Sequence, residues 1–213
     1  GVNLGGWFSQ VDCIEEKDPQ GFPGFFTHAE TFLSFEDFRL LKKVGFNHVR
    51  LPIDYQNFFK GKELIPEEKA FELLDKALQE IQASGLAVIL DLHKCPGHDF
   101  HLGCTQEQPF FSDPECRKDA CKVWAMLAER YADQHEVMLE LLNEPAGQDS
   151  KVWDVIKDEL YKNVRAHAPK NPIVIGSNRW NSAEEFKYLT PVDDDNVIYS
   201  FHTYTPVCFT HQF

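Results

Sequence analysis

Short apolar runs separated by longer amphipathic stretches are the main pattern of this chain. The clearest run, residues 137–142, is apolar except for Glu140 and is followed by Asn143, Glu144 and Pro145. A run without the alternation of a one-sided sheet indicates a strand buried on both faces of a parallel sheet. Because Pro145 cannot donate a ladder hydrogen bond, we expect the strand to stop beside Glu144. Glu144 is therefore predicted at the carboxyl end of a buried strand, where α/β folds place their reaction sites.

Five other stretches are predicted to be strands of the same sheet, because each is short and largely apolar. They cover residues 1–5, 46–53, 86–93, 173–176 and 196–204. The stretches predicted to be helices are residues 34–45, 66–85, 113–133 and 150–167. Ser34 is placed to cap the first helix, and Gly45 to end it. Strands that alternate with helices, without a linker, indicate one parallel α/β domain over residues 1–213.

The composition suits one globular domain with a sizeable core, since 43% of the 213 residues are hydrophobic and 13% are aromatic. The chain has 34 acidic residues against 21 Lys and Arg, which gives a formal net charge of −13. Nucleic acid and anionic membrane both need clustered positive charge, so neither is an expected partner. No apolar run in the sequence approaches the roughly 18 residues of a membrane-spanning helix.

The amino terminus and the cysteines give information on whether the protein is secreted or cytosolic. The first residues, Gly1-Val2-Asn3, include neither an initiating Met nor a charged-then-apolar leader. We therefore expect that a signal peptide, if there was one, has been removed or is not included. Six cysteines are many for a cytosolic enzyme and few for a disulfide-framed miniprotein. Their number favours a secreted, extracellular protein with one or two disulfides.

Several motifs together resemble glycoside hydrolase family 5, the cellulase-like family of retaining (β/α)8-barrel glycosidases. LLNEP at residues 141–145 resembles the acid/base strand of that family. GVNLGGWF at residues 1–8 is similar to its first strand, and DLHKCPG at residues 91–97 is similar to its third strand and loop. The resemblance covers all 213 residues. It implies a (β/α)8 TIM barrel.

An open, doubly wound sheet is the rival fold. Such a sheet would normally carry a Gly-rich phosphate loop after its first strand, and GVNLGG lacks the full GxGxxG spacing. We therefore predict the barrel. A complete barrel needs eight strands and typically about 250 residues. Because six strands are predicted here, we expect only the first six strands of the barrel in this chain.

Glu144 is the predicted acid/base, which protonates the leaving glycosidic oxygen and then takes a proton from water. For the first of these tasks it must hold a proton near neutral pH. The resemblance implies that Asn143 binds the sugar 2-hydroxyl. It also implies that four further residues surround the catalytic carboxylates, namely Arg50, His93, His202 and Tyr204. Arg50 has an alternative interpretation, in which it pairs with a structural acid such as Asp54.

The nucleophile of a retaining pair is not apparent in the sequence. By the resemblance it belongs to the seventh strand, beyond Phe213. Glu140 would lie roughly 13 Å from Glu144 along an extended strand, too far for the roughly 5 Å separation of a retaining pair. We therefore expect that a complementary carboxy-terminal segment completes the same barrel and that activity needs it.

The residues predicted to bind substrate are Trp180, Trp7 and His98. Trp180 would stack on a pyranose face if it is exposed, and the alternative is a buried packing role. The loop around His98 also contains Cys95, His101 and Cys104, whose thiols and imidazoles are zinc-binding types. Since the spacings lack the short Cys-x2-Cys pair usual in structural zinc sites, a disulfide between Cys95 and Cys104 is favoured. We predict no metal and no cofactor.

These residues predict hydrolysis of β-glucan polysaccharide or oligosaccharide with retention, and more specifically an endo-β-1,4-glucanase. An exo-β-1,3-glucanase or a β-mannanase would keep all of them, and GVNLGGW and LHKxPG are also similar to the β-1,3-glucanase branch. An alternative of another class is a catalytically silent barrel that binds sugar or serves as a structural module. A second carboxylate that reaches Glu144 would favour the enzyme.

Overall fold

A parallel sheet of six strands forms the centre of the computed structural model, which describes residues 1–103 and 105–210. The strands, numbered in chain order, are β1 (Val2–Asn3), β2 (His48–Asp54), β3 (Phe59–Lys60), β4 (Ile65–Pro66), β5 (Ala87–Lys94), β6 (Val137–Glu140), β7 (Ile173–Gly176) and β8 (Val197–Ser200). The sheet has the order β1-β2-β5-β6-β7-β8. β3 and β4 form a separate antiparallel hairpin, which the sequence did not predict. Parallel strands in chain order confirm the predicted fold, six strands of a (β/α)8 barrel.

Helices connect the strands of the sheet. They are α1 (Val11–Lys17), α2 (Phe25–Thr31), α3 (Phe35–Lys43), α4 (Glu68–Ala83), α5 (Pro109–Ser112), α6 (Pro114–Tyr131), α7 (Ser150–His167), α8 (Asn178–Asn181) and α9 (Val207–Thr210). Three 3₁₀ turns occur at Tyr55–Asn57, Phe100–Leu102 and Ala183–Tyr188. The four predicted helices correspond to α3, α4, α6 and α7. Within the described residues, none of the helices is both long and apolar enough to cross a membrane.

Capping distinguishes α3, which the sequence predicted, from α1 and α2, which it did not. Ser34 and Asp37 form a capping box at the start of α3, where the Ser34 backbone N–H donates to Asp37 Oδ2 over 2.8 Å. α1 and α2 begin after Gln10 and Gly24, neither of which makes a side-chain cap hydrogen bond. These two helices of seven residues each therefore carry no start signal that the sequence could reveal.

The sheet register brings acidic residues side by side. Pro52 of β2 pairs with Asp91 of β5, which in turn pairs with Glu140 of β6. Residues two apart on a strand face the same side, so Arg50 shares a face with Pro52. Three neighbouring strands thus place one guanidinium and two carboxylates on the same face of the sheet.

Two tryptophans fix the outer helices to the ends of the strands. Trp124 of α6 donates its indole N–H to the Leu141 carbonyl over 2.8 Å, and Trp153 of α7 donates to the Gly176 carbonyl over 3.0 Å. Both rings are buried. The helix positions therefore set the positions of the chain segments that leave β6 and β7.

β6 is shorter than the sequence predicted, because it ends at Glu140 and not beside Glu144. The chain still follows its neighbours, since the Leu141 N–H bonds to the Val174 carbonyl and the Asn143 N–H to the Leu92 carbonyl, each over 3.0 Å. Regular pairing stops where the backbone turns, and Glu144 has a φ of 44°.

The two outer strands of the sheet have one neighbour each. β1 pairs with β2 and β8 pairs with β7 within the part of the chain that the structure describes. β8 exposes Ile198 and Tyr199, and Phe201 just after it is 57% exposed. An apolar strand of this kind next to solvent is a surface on which another segment can pair.

Candidate active site

A cavity of about 420 Å³ opens at the carboxyl ends of the strands. Its lining residues are Asn3, Gly5, Gln10, Arg50, His93, Phe100, Asn143, Glu144, His202, Thr203 and Tyr204. All six residues predicted to be catalytic are among them. The structure therefore brings together residues from five of the strands and the segments that follow them.

Glu144 lies in this cavity and is 8% exposed. Its Oε1 atom is 2.7 Å from His202 Nδ1 and accepts a hydrogen bond from the Tyr204 hydroxyl over 3.4 Å. The left-handed backbone at Glu144 is unusual for a residue with a side chain and costs about 1 kcal/mol or more. The fold thus keeps a strained backbone at Glu144 and holds its carboxylate beside two hydrogen-bonding groups.

His202 is itself held by the turn after β7. The His202 N–H bonds to the Asn181 carbonyl over 2.9 Å, and Asn181 Nδ2 lies 3.4 Å from His202 Nε2. Asn181 also has left-handed backbone, with a φ of 55°. One amide residue therefore sets both the backbone and the ring of the histidine that contacts Glu144.

Arg50 ties two buried carboxylates together beneath the cavity. Its Nε and Nη2 atoms lie 2.7 and 2.9 Å from the two oxygens of Glu140, and Nη2 lies 2.9 Å from Asp91 Oδ2. Burial alone would lower the pKa of Arg50, but Asp91 and Glu140 outweigh it and raise the pKa above its ordinary value. The alternative partner expected for Arg50, Asp54, instead accepts from the Gln10 backbone N–H over 2.6 Å.

Arg50 also orients Asn143. Arg50 Nη2 donates to Asn143 Oδ1 over 3.0 Å. Asn143 Nδ2 is buried and has no hydrogen-bond partner among the described residues. Because the guanidinium fixes the oxygen of the amide, the nitrogen is left as a donor for a bound molecule.

His93 also lines the cavity and is 6% exposed. Its Nδ1 atom is 2.6 Å from Asp91 Oδ2, and its Nε2 atom is 3.2 Å from Gln10 Nε2. The Phe100 ring contacts its edge, with ring centroids 4.8 Å apart. Asp91 therefore contacts both Arg50 and His93.

The predicted substrate-binding tryptophans have different surroundings. Trp180 is 41% exposed, and its indole N–H donates to the Phe100 carbonyl over 3.3 Å, next to the cavity. Trp7 is 3% exposed, packs on Phe8 and donates to the Ala29 carbonyl over 2.8 Å. The prediction for Trp7 was wrong, because the ring belongs to the core beneath α2. The stacking role of Trp180 stays a prediction.

His98 is also corrected by the structure. It is 3% exposed, does not line the cavity, and lies against the edges of Phe110 and Phe111. Burial lowers the pKa of His98 to about 3, so the ring is neutral near pH 7. Neither ring nitrogen has a hydrogen-bond partner among the described residues. A sugar in the cavity cannot reach it.

The loop around His98, which contains zinc-binding residue types, forms no metal-binding cluster in the described part of the chain. Residues 1–103 and 105–210 contain no cluster of three metal-binding side chains. His101 is paired with Asp99, with Nδ1 and Oδ1 2.9 Å apart. The five described cysteines form no disulfide with one another. The Cys95–Cys104 pairing expected from the sequence lies outside the described residues.

Several cavity residues were missed by the sequence analysis. The polar ones are Asn3, whose Oδ1 accepts from Arg50 over 3.1 Å, Gln10 and Thr203, and Phe100 is an aromatic one. Asp91 carried a signal that could have been used, since a carboxylate inside the apolar strand 86–93 requires a charged partner. Gln10 and Phe100 lie in loops without a motif.

The six parallel strands form part of a (β/α)8 barrel. The buried carboxylate of Glu144 follows β6, the fourth strand of the sheet, and is the centre of the site. The chain matches the family model described as Cellulase (glycosyl hydrolase family 5) over residues 13–213. The chain therefore belongs to glycosyl hydrolase family 5, as the sequence motifs predicted.

Individual relatives agree with this assignment. Endoglucanase C of Acetivibrio thermocellus is 34% identical over 215 residues, which cover 100% of this chain and 59% of that protein. Cellodextrinase A of Ruminococcus flavefaciens is 34% identical over 214 residues, which cover 100% and 60%. Thermotoga maritima Cel5A, solved in complex with mannotriose, superposes with a TM-score of 0.77 at 25% identity over 100% of this chain and 62% of that one. The chain thus spans about three fifths of the length of these two curated relatives.

Proposed function

We propose that this chain carries the acid/base side of a retaining glycoside hydrolase that cleaves β-linked glucan, and specifically an endo-β-1,4-glucanase. The observation that carries the proposal is the placement of Glu144 in the cavity, with His202 Nδ1 2.7 Å from its Oε1 atom. Relatives named endoglucanase and cellodextrinase support a β-glucan substrate.

Glu144 has one oxygen available for chemistry. In the described residues, the hydrogen bonds from His202 and Tyr204 both end on Oε1. Oε2 is therefore the atom that would give its proton to the glycosidic oxygen and later accept one from water. His202 and Tyr204 keep the carboxyl group aimed into the cavity during both steps.

Asn143 is the proposed sugar-binding partner of Glu144. Arg50 fixes its amide oxygen, and its buried Nδ2 atom has no partner among the described residues. An unpaired donor next to the acid is suited to the 2-hydroxyl of the sugar, where a hydrogen bond strengthens as the transition state forms. The same Arg50 side chain thereby links the buried carboxylates to substrate binding.

The proposed nucleophile is a carboxylate on a complementary carboxy-terminal segment of the same barrel. Glu144 is the only carboxylate among the described residues that line the cavity, and both oxygens of Glu140 contact Arg50. Two observations support such a segment. The curated relatives extend well beyond the matched length, and β8 exposes apolar side chains along an edge open to a further strand.

Replacement of Glu144 by Gln tests the acid/base role in the full-length protein. We expect turnover of unactivated β-1,4-glucan to fall about 10² to 10⁴-fold, since the alkoxide leaving group needs a proton. An aryl glycoside with an activated leaving group should lose less in its first step. Glu136→Gln, an exposed acid just before β6, is the matched control and should keep wild-type turnover. Equally small losses on both substrates would contradict the role.

Separate assays test the complementary segment. The 213-residue chain is assayed on β-1,4-glucan alone and then with the downstream segment supplied. We expect turnover only in the second assay, because a retaining mechanism needs two carboxylates. Robust turnover by the purified chain alone would show that the nucleophile lies within it.

Polymer preference separates the proposed enzyme from its alternatives. The full-length protein should release reducing ends faster from soluble β-1,4-glucan than from β-1,3-glucan or β-mannan. Thermotoga maritima Cel5A was solved with mannotriose, which makes a β-mannanase the second candidate. Fastest cleavage of the β-1,3-polymer would favour the exo-β-1,3-glucanase, and sugar binding without hydrolysis would favour the silent barrel. An extracellular location, where glucan polymers are met, is part of the same proposal.

A further inference from the structure

Gln10 is a cavity residue to which the proposed mechanism gives no task. It precedes α1, and its Nε2 atom lies 3.2 Å from His93 Nε2 on the cavity wall. The other ring nitrogen of His93, Nδ1, lies 2.6 Å from Asp91 Oδ2. The His93 ring is therefore contacted at both nitrogens.

The direction of these hydrogen bonds follows from their partners. A carboxylate only accepts, so Asp91, which also lies 2.9 Å from Arg50 Nη2, requires the proton on His93 Nδ1. In the neutral ring Nε2 then carries a lone pair, and the Gln10 amide N–H can donate to it. Gln10 and Asp91 together fix the tautomer and the orientation of the ring.

Gln10 is itself held in an uncommon conformation. Its φ is 56° and its ψ is 22°, in the left-handed region that residues with a side chain rarely adopt. Its backbone N–H donates to Asp54 Oδ2 over 2.6 Å, and Asp54 is 3% exposed at the end of β2. A buried carboxyl group therefore fixes the backbone from which the Gln10 amide reaches His93.

We infer that Gln10 is a positioning residue, which holds the His93 ring for the bound sugar and is itself fixed by Asp54. His93 is the residue that touches substrate, and Gln10 acts through it. The inference deepens the proposed function, because a positioned His93 matters for catalysis only if a sugar binds in this cavity.

The charged surroundings of His93 enter the test. Asp91 lies on its own strand, Arg50 and Asp54 lie on β2, and the Lys94 ammonium follows in the chain. The buried His98 is neutral near pH 7. Substitutions at residue 10 leave all of these groups in place, so a change in the ring reports the contact with residue 10.

The test is ¹⁵N NMR of the His93 ring in the full-length protein at pH 8. In the wild type we expect a proton on Nδ1 and a hydrogen-bonded lone pair on Nε2. Gln10→Glu replaces the donor by an acceptor, so Nε2 should gain a proton. Gln10→Ala should move the Nε2 signal toward that of a solvated ring and lower kcat/KM on β-1,4-glucan about tenfold, the effect of one lost hydrogen bond. Gln82→Glu, the same change on α4, is the control and should alter neither.

Each outcome decides a separate question. An unchanged Nε2 signal in both Gln10 variants would overturn the inference, and lower activity in that case would mean that Gln10 contacts the sugar directly. Gln10→Ala adds no buried charge, so it keeps the test valid if Gln10→Glu fails to fold. If the NMR signals are as expected but the protein cleaves no glucan, Gln10 still positions His93 and the proposed function is wrong.

Discussion

Glu140 and Glu144 lie four residues apart on one segment, yet their surroundings have little in common. Glu140 is 2% exposed and gives both oxygens to Arg50, over 2.7 and 2.9 Å. Glu144 lines the cavity and, in the described residues, accepts hydrogen bonds on Oε1 alone. A carboxylate whose oxygens are all engaged serves the structure, whereas one with an oxygen left over is available for chemistry.

The two carboxylates also differ in electrostatics. Burial, reinforced by Asp91, raises the pKa of Glu140, although Arg50 opposes the effect. One guanidinium is therefore shared by two buried acids, Asp91 and Glu140. Glu144 faces His202 and no second acid among the residues that line the cavity. We therefore expect the buried cluster of Arg50, Asp91 and Glu140 to affect stability and Glu144 to affect turnover. Separate substitutions can test the two expectations.

Arg50→Met should have the largest effect on stability. It leaves two carboxylates buried without a cation, which we expect to lower the free energy of unfolding by about 3–5 kcal/mol. Urea denaturation of the full-length protein measures the change. Arg39→Met is the matched control, because Arg39 pairs with Glu36 on the surface and such pairs are worth about 0–1 kcal/mol. Equal losses in the two variants would remove the distinction between the buried cluster and the surface.

Glu140→Gln should lower the free energy of unfolding by an intermediate amount, about 1–3 kcal/mol, and the loss should depend on pH. Because the pKa of Glu140 is raised above its ordinary value of 4.5, its protonation stabilises the fold below about pH 4.5. That contribution is lost as the pH rises through the folded pKa, so the advantage of the wild type over the variant should shrink.

Urea denaturation from pH 4 to pH 8 measures this difference. Asp37→Asn is the control with the opposite sign, since hydrogen bonds from Ser34 lower the pKa of Asp37 and its contribution is lost as the pH falls. A difference between the wild type and Glu140→Gln that grows with pH would contradict the raised pKa of Glu140.

Tyr204→Phe should have the smallest effect. It removes a hydroxyl group 3.4 Å from Glu144 Oε1 and leaves the ring in place. We expect kcat on β-1,4-glucan to fall a few-fold, while the free energy of unfolding stays within about 0.5 kcal/mol of the wild type. Steady-state kinetics and urea denaturation on one preparation check both. A loss of stability without a loss of turnover would place Tyr204 with the structural residues.

The sequence predicted the cavity better than the cluster beneath it. Glu144, His93 and His202 follow or end apolar strands, and the carboxyl ends of parallel strands meet at one edge of a sheet. The partners of Arg50 depend on register between strands, and Glu140 is 90 residues away along the chain. Spacing within one segment carries no information about such a contact.

The errors at Trp7 and Gln10 share a physical cause. Trp7 was placed in the substrate site, but its indole N–H bonds to a carbonyl of α2, a helix without a cap signal. Gln10 was overlooked because α1 also begins without a side-chain cap. Where a loop contains an uncapped helix, local sequence does not reveal which side chains turn inward, and only the folded chain does.

The tryptophans that tie the outer helices to the strand ends give the protein its own optical reporters. Trp124 and Trp153 are buried, whereas the Trp180 ring is 41% exposed next to the cavity. Water relaxes around the excited dipole of an exposed indole, so Trp180 emits at longer wavelength than the three buried rings, which include Trp7. The red edge of the emission spectrum therefore reports what happens near the cavity. The blue edge reports whether the buried rings, which include the two that hold α6 and α7 to the strand ends, stay covered.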